Sequence, residues 1–229
     1  MKYISTLSTF ILFICLNTGF SQSTSTIELM PFDEIELDIS ANVTVKQGKT
    51  QKVEVSGPQE LIDLLNKEIK GSTWEVKYTK RNVKNVKKLE ITITVPHLKE
   101  VNLNGSGDIR GSSAWHEDEM EIDINGSGSV FLEVYVEDLE LSINGSGDLN
   151  ISGTAKKLEA DINGSGDIKA EDLTTEYAEF GINGSGDSKI HVTKKLDATI
   201  NGSGDIHYLG EPDLKIRKNG SGTVKNMNS

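Results

Sequence analysis

The sequence is poor in cysteine: Cys15 is the only one among 229 residues. It lies in the apolar N-terminal run from Ile4 to Phe20, which predicts a signal peptide over residues 1–21. The mature chain would then contain no cysteine, which excludes disulfides and cysteine-type zinc sites. The apolar run is short and no basic stop-transfer cluster follows it, so we expect no transmembrane segment in the mature chain.

Positive charge is also scarce, with 24 Lys and Arg against 35 Asp and Glu and a net charge of −11. Loss of Lys2 with the signal peptide makes the balance one unit more acidic. An acidic surface disfavours nucleic acid and anionic membranes as partners. It suits solubility outside the cytoplasm, and it is compatible with weak binding of divalent cations.

Recognisable catalytic constellations are missing. The sequence contains no Ser/His/Asp order typical of a nucleophile with its base, no phosphate loop, and no carboxylate pair marked for glycoside hydrolysis. The histidines occur at unrelated positions, which does not indicate a metal site; they are His97, His116, His191 and His207. We therefore predict a protein that is not an enzyme and has no cofactor, with a polysaccharide-active β-helix enzyme as the weakest alternative.

What the sequence does contain is one motif, Asn-Gly-Ser-Gly, repeated every 18 to 21 residues. The seven copies begin at Asn104, Asn125, Asn144, Asn163, Asn183, Asn201 and Asn219. Self-similarity at a fixed period of this length indicates a repeat architecture in which each repeat is one coil of backbone.

Apolar residues alternate with polar ones on both sides of each motif, as in Leu158, Ala160 and Ile162 before Asn163. This period of two is that of a strand with one buried face. The phase is the same before every corner, as stacked coils in register require. The sequence predicts an all-β fold, a single-stranded parallel β-helix of about seven Asn-Gly-Ser-Gly rungs, right-handed by the general preference of parallel crossovers. A β-sandwich or roll is the alternative.

The motif itself has a structural interpretation as the corner of each coil. Glycine and asparagine adopt positive φ at least cost. Stacked coils would also place each asparagine above the next, so that their amides form a hydrogen-bonded ladder, with the serines doing so on a smaller scale.

An acid follows the motif in five copies. These residues are Asp108, Asp148, Asp167, Asp187 and Asp205. Stacked carboxylates repel one another, so we expect either a bound Ca²⁺ ion or, as the preferred explanation, solvent exposure with hydrogen bonds from the N–H groups of the same corner.

Residues 22–100 precede the first motif, and residues 101–229 contain the coils. The N-terminal part predicts short strands around 35–39, 43–45, 53–55, 74–78 and 89–95. Pro58 predicts the start of a short helix that would cap the end of the stack. The apolar face of that helix comprises Leu61, Ile62, Leu64, Leu65 and Ile69.

The second repeat carries an insertion, residues 115–119, that begins with Trp115. Insertions in repeat proteins cluster on one face and often mark the binding surface. Trp115 is therefore the candidate ligand-contact residue, although a tryptophan that covers the flank of the coil is the commoner outcome.

The run Phe180-Gly-Ile-Asn-Gly-Ser-Gly-Asp187, together with the signal peptide and the run Val101–Asp108, resembles the family called "putative auto-transporter adhesin, head GIN domain". The resemblance extends from about Phe32 to the end of the chain. It implies an exported β-helical protein of Gram-negative cell envelopes with no established enzymatic activity.

These observations together predict an exported, non-enzymatic cell-envelope protein, an adhesin or scaffold that uses its repeat surface. The expected location is the periplasm, the outer membrane or the extracellular space. The partner would be an envelope or surface ligand, a glycan or a protein, and homo-oligomerisation is left open. The alternative is a carbohydrate- or Ca²⁺-binding module.

Overall fold

The computed structural model describes residues 23–83 and 88–228, and most of its secondary structure is strand. The predicted signal peptide lies outside the described residues. In chain order the elements are β1 Ser23–Ile27, β2 Glu34–Leu37, β3 Ala41–Gln47, β4 Lys52–Gly57, α1 Gln59–Ile62, β5 Ile69–Lys70, β6 Thr73–Val76, β7 Leu89–Val95, β8 Glu100–Leu103, β9 Asp108–Gly111, β10 Trp115–His116, β11 Glu119–Ile124, β12 Ser129–Gly145, β13 Asp148–Gly164, β14 Ile168–Gly184, β15 Ser188–Gly202, β16 Ile206–Leu209, β17 Asp213–Gly220 and β18 Val224–Asn226.

The coils stack in parallel and in register, which confirms the predicted β-helix. Asn144 pairs with Asn163, Asn163 with Asn183, and Asn183 with Asn201, so every corner lies above the preceding one. The alternating apolar residues point inward and are buried in one continuous core. Because successive side chains of a strand point to opposite faces, burial of one face explains why apolar residues occur at every second position of the sequence.

The N-terminal strands extend the same stack, but not in chain order. β2 pairs in parallel with both β6 and β8, and β3 pairs in parallel with both β7 and β9. The coil formed by β2 and β3 therefore lies between the coil of β6–β7 and the first motif-bearing coil of β8–β9. Its inward residues are fully buried from both sides; Ile35 and Leu37 have no exposed surface.

Antiparallel strands, rather than a helix, close the N-terminal end. β4 pairs antiparallel with β7, β1 with β4, and β5 with β6. The predicted helix is shorter than its apolar pattern suggested, since α1 ends at Ile62 and Ile69 belongs to β5. The intervening backbone bonds to the chain around β6 instead: the Asn66 N–H donates to the Lys77 carbonyl at 2.8 Å.

The C-terminal end of the stack is open in the described part of the chain. β17 is paired on one edge with β15, and all of its residues are exposed. Leu214 and Ile216 occupy inward positions, above Leu196 and Ala198 of the coil below. The two ends of the solenoid therefore differ: the first is covered and the second is not.

Among the described residues, no helix has the length and apolar character needed to cross a bilayer.

Candidate functional site

The corner asparagines form the predicted ladder. Each side-chain amide donates to the side-chain oxygen of the preceding corner, from Asn125 onto Asn104 at 3.2 Å through to Asn201 onto Asn183 at 2.9 Å. Their backbone does not adopt positive φ, contrary to the prediction, because among the described non-glycine residues only Asn82 does so. The asparagine is used for its side chain and not for its backbone freedom.

The two corner glycines are required by the close approach of adjacent coils. A Cβ on Gly166 would lie 2.0 Å from the carbonyl oxygen of Gly147, one coil below. At Gly164 the Cβ would lie 2.2 Å from the Gly145 oxygen, and φ there is +151°. Only glycine lets the backbones stack at this distance.

The aspartates that follow the corners also make contacts between coils. Asp148 accepts the N–H of Asp167 at 3.2 Å, Asp167 that of Asp187 at 2.9 Å, and Asp187 that of Asp205 at 2.8 Å. The donor belongs to the next coil, not to the same corner as predicted. Thr223 donates to Asp205 through its hydroxyl and its N–H, and these bonds lower the pKa of Asp205.

This arrangement accounts for Asp148, Asp167, Asp187 and Asp205 without a metal ion. The carboxylate charge is offset by hydrogen bonds from N–H groups. In the ranges 23–83 and 88–228, no group of three or more His, Cys, Asp or Glu side chains is arranged to hold a metal. The Ca²⁺ hypothesis for Asp108, Asp148, Asp167, Asp187 and Asp205 gains no support from these contacts.

Trp115 does not face solvent, so the prediction that it contacts a ligand is wrong. Its side chain is 0% exposed and is part of the core. The insertion is held against the solenoid, since Glu117 accepts hydrogen bonds from Gln47 and from the Leu98 N–H. Because the ring is large and apolar, the coil buries it as an inward residue of β10. The exposed aromatic contact at this place is His116 stacked on Tyr135, with ring centroids 4.9 Å apart.

A different feature stands out on the sheet that precedes the corners. One outward position carries an acid on seven adjacent coils, which we call the acidic column. Its members in spatial order are Glu34, Glu100, Glu121, Glu140, Glu159, Glu179 and Asp197. At about 4.8 Å per coil the column is roughly 29 Å long. It ends at Thr73 on one side and at Lys215 on the other.

Neighbouring columns do not share this uniform charge. Two residues before the column on each strand, the stacked outward residues are of mixed charge: Asp138, Lys157, Tyr177, Lys195 and Asp213. Two residues later, acids alternate with neutral residues, as in Asp123, Ser142 and Asp161. At the bend before the sheet, Lys156 pairs with Glu137 at 3.0 Å and Lys194 with Glu176 at 2.7 Å. On this sheet, the acidic column is therefore the position that carries an acid on seven successive coils.

The column lies in a groove of about 620 Å³ along the sheet. Lys99, Lys157, Lys195 and the exposed Tyr177 also line this groove. All seven acids of the column line the groove, which concentrates negative potential along one line of the surface.

Proton affinities respond to this crowding. Burial, then a hydrogen bond with Asp123 and the charges of Asp123, Glu100 and Glu140, raises the pKa of Glu121 to about 7. Burial and the neighbouring acids also raise the pKa values of Glu159 and Asp161. A carboxyl group in this position is harder to ionise because its charge is both desolvated and repelled.

The two ends of the column behave in the opposite way. Hydrogen bonds from Ser72 and Thr73 lower the pKa of Glu34. Lys215 donates to Asp197 at 2.6 Å and lowers the pKa of that carboxyl, with help from the Arg217 charge. The charges at the two ends of the column are therefore stabilised by donors from the protein. Among the described residues, no ion pair is formed by the five acids between them, Glu100, Glu121, Glu140, Glu159 and Glu179.

Sequence reasoning overlooked this column although its signal was present. An acid stands four residues before the asparagine in six of the seven motif copies, from Glu100 before Asn104 to Asp197 before Asn201. In the last copy Lys215 takes that place. The signal lies outside the motif, in a residue type that is nearly constant four positions before it.

The fold and this surface define a class: a β-solenoid with a filled interior that presents a charged sheet face. Residues 31–212 match the family described as "Putative auto-transporter adhesin, head GIN domain", and the chain belongs to that family. The resemblance noted in the sequence is thereby confirmed. Comparison with curated proteins gave no match.

Several solved structures of similar proteins come from Bacteroides and Parabacteroides species. A "putative adhesin" from Bacteroides fragilis is 28% identical with a TM-score of 0.87, over 91% of this chain and 98% of that chain. A "putative lipid binding protein" from Parabacteroides distasonis is 29% identical with a TM-score of 0.73, over 90% and 97%. A "putative adhesin" from Parabacteroides merdae is 27% identical with a TM-score of 0.76, over 90% and 96%.

Proposed function

We propose that this protein is an exported, non-enzymatic adhesin of the cell envelope that binds a positively charged protein partner along the acidic column. The family and the similar structures support an adhesin-type role. Export rests on the predicted signal peptide at residues 1–21. The choice of surface rests on the acidic column.

The observation that carries the proposal is the uniform charge of that column. Like charges directly opposite on neighbouring strands destabilise a sheet. Alternating charges avoid this cost, and the protein uses them at Glu137, Lys156, Glu176 and Lys194. A row of acids without cationic partners in its middle is therefore explained better by a ligand than by stability.

The shape of the surface favours a macromolecular partner. The column runs for roughly 29 Å across seven coils, which suits an extended basic segment or a basic surface patch better than a single small cation. Complementary charge would also speed association, because opposite potentials steer the encounter. The exposed ring of Tyr177 would add apolar contact within the groove.

Binding to a basic peptide tests the proposal. The variant carries Glu140→Gln, Glu159→Gln and Glu179→Gln in the column. The matched control carries Glu133→Gln, Glu137→Gln and Glu176→Gln, which removes the same number of acids from positions outside the column. Affinity for an oligolysine peptide, measured by biolayer interferometry at about 0.1 M salt, should fall roughly tenfold or more in the column variant and by less than about threefold in the control.

Equal losses in the two variants would show that net charge alone attracts the peptide, and would refute the column as the site.

Fractionation of cells that express the full chain tests export. Protein found in the cytoplasmic fraction with residues 1–21 still attached would contradict that part of the proposal.

One observation favours a second candidate, a polysaccharide-active enzyme. Glu121, whose pKa is raised to about 7, lies between Glu100 and Glu140 on adjacent coils. Retaining glycosidases use two carboxyl groups about 5–5.5 Å apart, one of them with a raised pKa. Incubation with a panel of glycans and a reducing-end assay separates the candidates: release of reducing ends that is lost in Glu121→Gln would establish the enzyme and refute the non-enzymatic proposal.

A further inference from the structure

The open C-terminal end of the solenoid has the features of a contact surface. Leu214 and Ile216 are 45% and 41% exposed, whereas Leu196 and Ala198 at the same positions one coil below are 0% exposed. The free edge of β17 presents unpaired backbone groups, which are a template for pairing with another strand. Two normally buried positions and a sheet edge are thus left together at one end.

The other end of the molecule presents a different kind of edge. The antiparallel strands β1 and β5 are the outermost strands there, so a second copy stacked from head to tail would not meet a parallel strand that continues the coils. The open end of a second copy matches the free edge of β17 better. Such a contact is isologous, and it closes after two copies instead of growing into a fibre.

Lys218 limits the apolar surface at this end of the solenoid. It occupies the third inward position of β17, and its amino group donates to the carbonyl oxygen of Gly222 at 3.3 Å. An inward-pointing charge is a means by which edge strands avoid indiscriminate pairing. The apolar part of the end is therefore confined to Leu214 and Ile216.

We propose that two copies of this protein associate end to end, with β17 of one copy antiparallel to β17 of the other. Inward residues must lie opposite inward residues, and the inward positions of β17 have even numbers. The residue numbers of two directly opposed positions therefore add up to an even number. A sum of 430 places Leu214 opposite Ile216 of the second copy and Asp213 opposite Arg217, twice by symmetry. A sum of 432 instead places Lys215 opposite Arg217 twice, which is repulsive.

Charge complementarity thus favours the first register over the sum of 432. A sum of 428, which places Asp213 opposite Lys215, is the alternative that the charge exchange below distinguishes from it. The one unfavourable contact in the first register is between the two Lys215 residues at the symmetry axis. Each of these lysines already donates to Asp197 of its own chain at 2.6 Å, which offsets part of their mutual repulsion. Opposite charges across strands stabilise the pairing, as the two Asp213–Arg217 contacts would.

Molar mass in solution tests the proposal. Size-exclusion chromatography with light scattering, over roughly 1–100 μM protein, should show a dimer that dissociates on dilution. Ile216→Lys should give a monomer, and the fold should survive because the residue is already exposed. The matched control is Tyr135→Lys, since Tyr135 is 37% exposed on the flank of the solenoid, outside the groove of the acidic column, and this variant should remain dimeric.

A charge exchange tests the register. Asp213→Arg and Arg217→Asp should each weaken the dimer by roughly tenfold, and the double variant should restore it. Circular dichroism checks that each variant is folded, since Arg217 also contacts Asp197 at 3.1 Å. A wild type that stays monomeric, a dimer that persists in Ile216→Lys, or open-ended assemblies would overturn the proposal, and single losses without rescue would overturn the register. None of these outcomes depends on the acidic column.

Discussion

At the scale of the residue, the corner motif is explained by distances between adjacent coils. The asparagines bond to one another along the stack, and the glycines leave room for the backbone of the next coil. Serine lies between the glycines with its side chain exposed, as at Ser165. Two kinds of contact between coils, one amide ladder and one close backbone approach, account for three of the four positions.

Substitution of one corner glycine should therefore be costly. Gly166→Ala would place a Cβ 2.0 Å from the Gly147 oxygen, a backbone atom that cannot rotate away. We expect a loss of roughly 1–3 kcal/mol in the free energy of unfolding, measured by urea denaturation. Ser165→Ala is the control and should change stability by less than about 0.5 kcal/mol. A Gly166→Ala variant as stable as the control would contradict the close stacking of the corners.

At the scale of the element, the sheet before the corners combines a regular buried face with an irregular charge pattern on its outer face. The inner face follows the period of two throughout, as in Leu139, Leu141 and Ile143. The outer face stacks acids at one position and mixes charges at the next. In the middle of the acidic column the pKa values of Glu121 and Glu159 are raised, and at its ends those of Glu34 and Asp197 are lowered.

This pattern predicts how stability depends on pH. Glu121 binds its proton more tightly in the folded state, with a pKa of about 7 against an ordinary 4.5, so the free energy of unfolding should rise as pH falls from about 7 toward 4.5. Groups with lowered pKa values, such as Glu34, act in the opposite sense, and only at lower pH.

Glu121→Gln should stabilise the protein at pH 8 by roughly 0.2–1 kcal/mol, because it removes charge repulsion that solvent only partly screens. At pH 5 the gain should be smaller. Urea denaturation at pH 5 and pH 8 measures the gain in the free energy of unfolding. The control Glu133→Gln, outside the column, should show no such difference between the two pH values. If the two variants responded alike at pH 5 and pH 8, repulsion within the column would not be the cause.

At the scale of the whole molecule, the order of coils in space differs from their order in the chain. The coil of β2 and β3 comes first in sequence but lies between the coil of β6–β7 and that of β8–β9. Contacts between coils hold a solenoid together one neighbour at a time. Removal of an inner coil should therefore do more harm than removal of the last one.

Two deletions test this topology. A chain that lacks residues 213–229 loses only the open end, so it should still unfold cooperatively, with a lower midpoint in a thermal melt followed by circular dichroism. A chain that lacks residues 34–47 loses the coil on which both neighbours pack, and it should show no cooperative transition. Equal midpoints for the two deletions would contradict the inserted position of this coil.

The sequence by itself determined the parallel β-solenoid, its seven corners, the inward residues and the asparagine ladder, because identical contacts between coils repeat along the chain. It also contained the acidic column, at four residues before six of the motifs. Tertiary structure alone decided which N-terminal coil lies beside which, since several strands there share the same alternating pattern and any of them could satisfy it. Tertiary structure also decided the burial of Trp115, because the sequence does not show whether this residue points into the coil. It likewise decided the end of α1 at Ile62, because the apolar residues that follow contact the chain around β6 instead of continuing the helix.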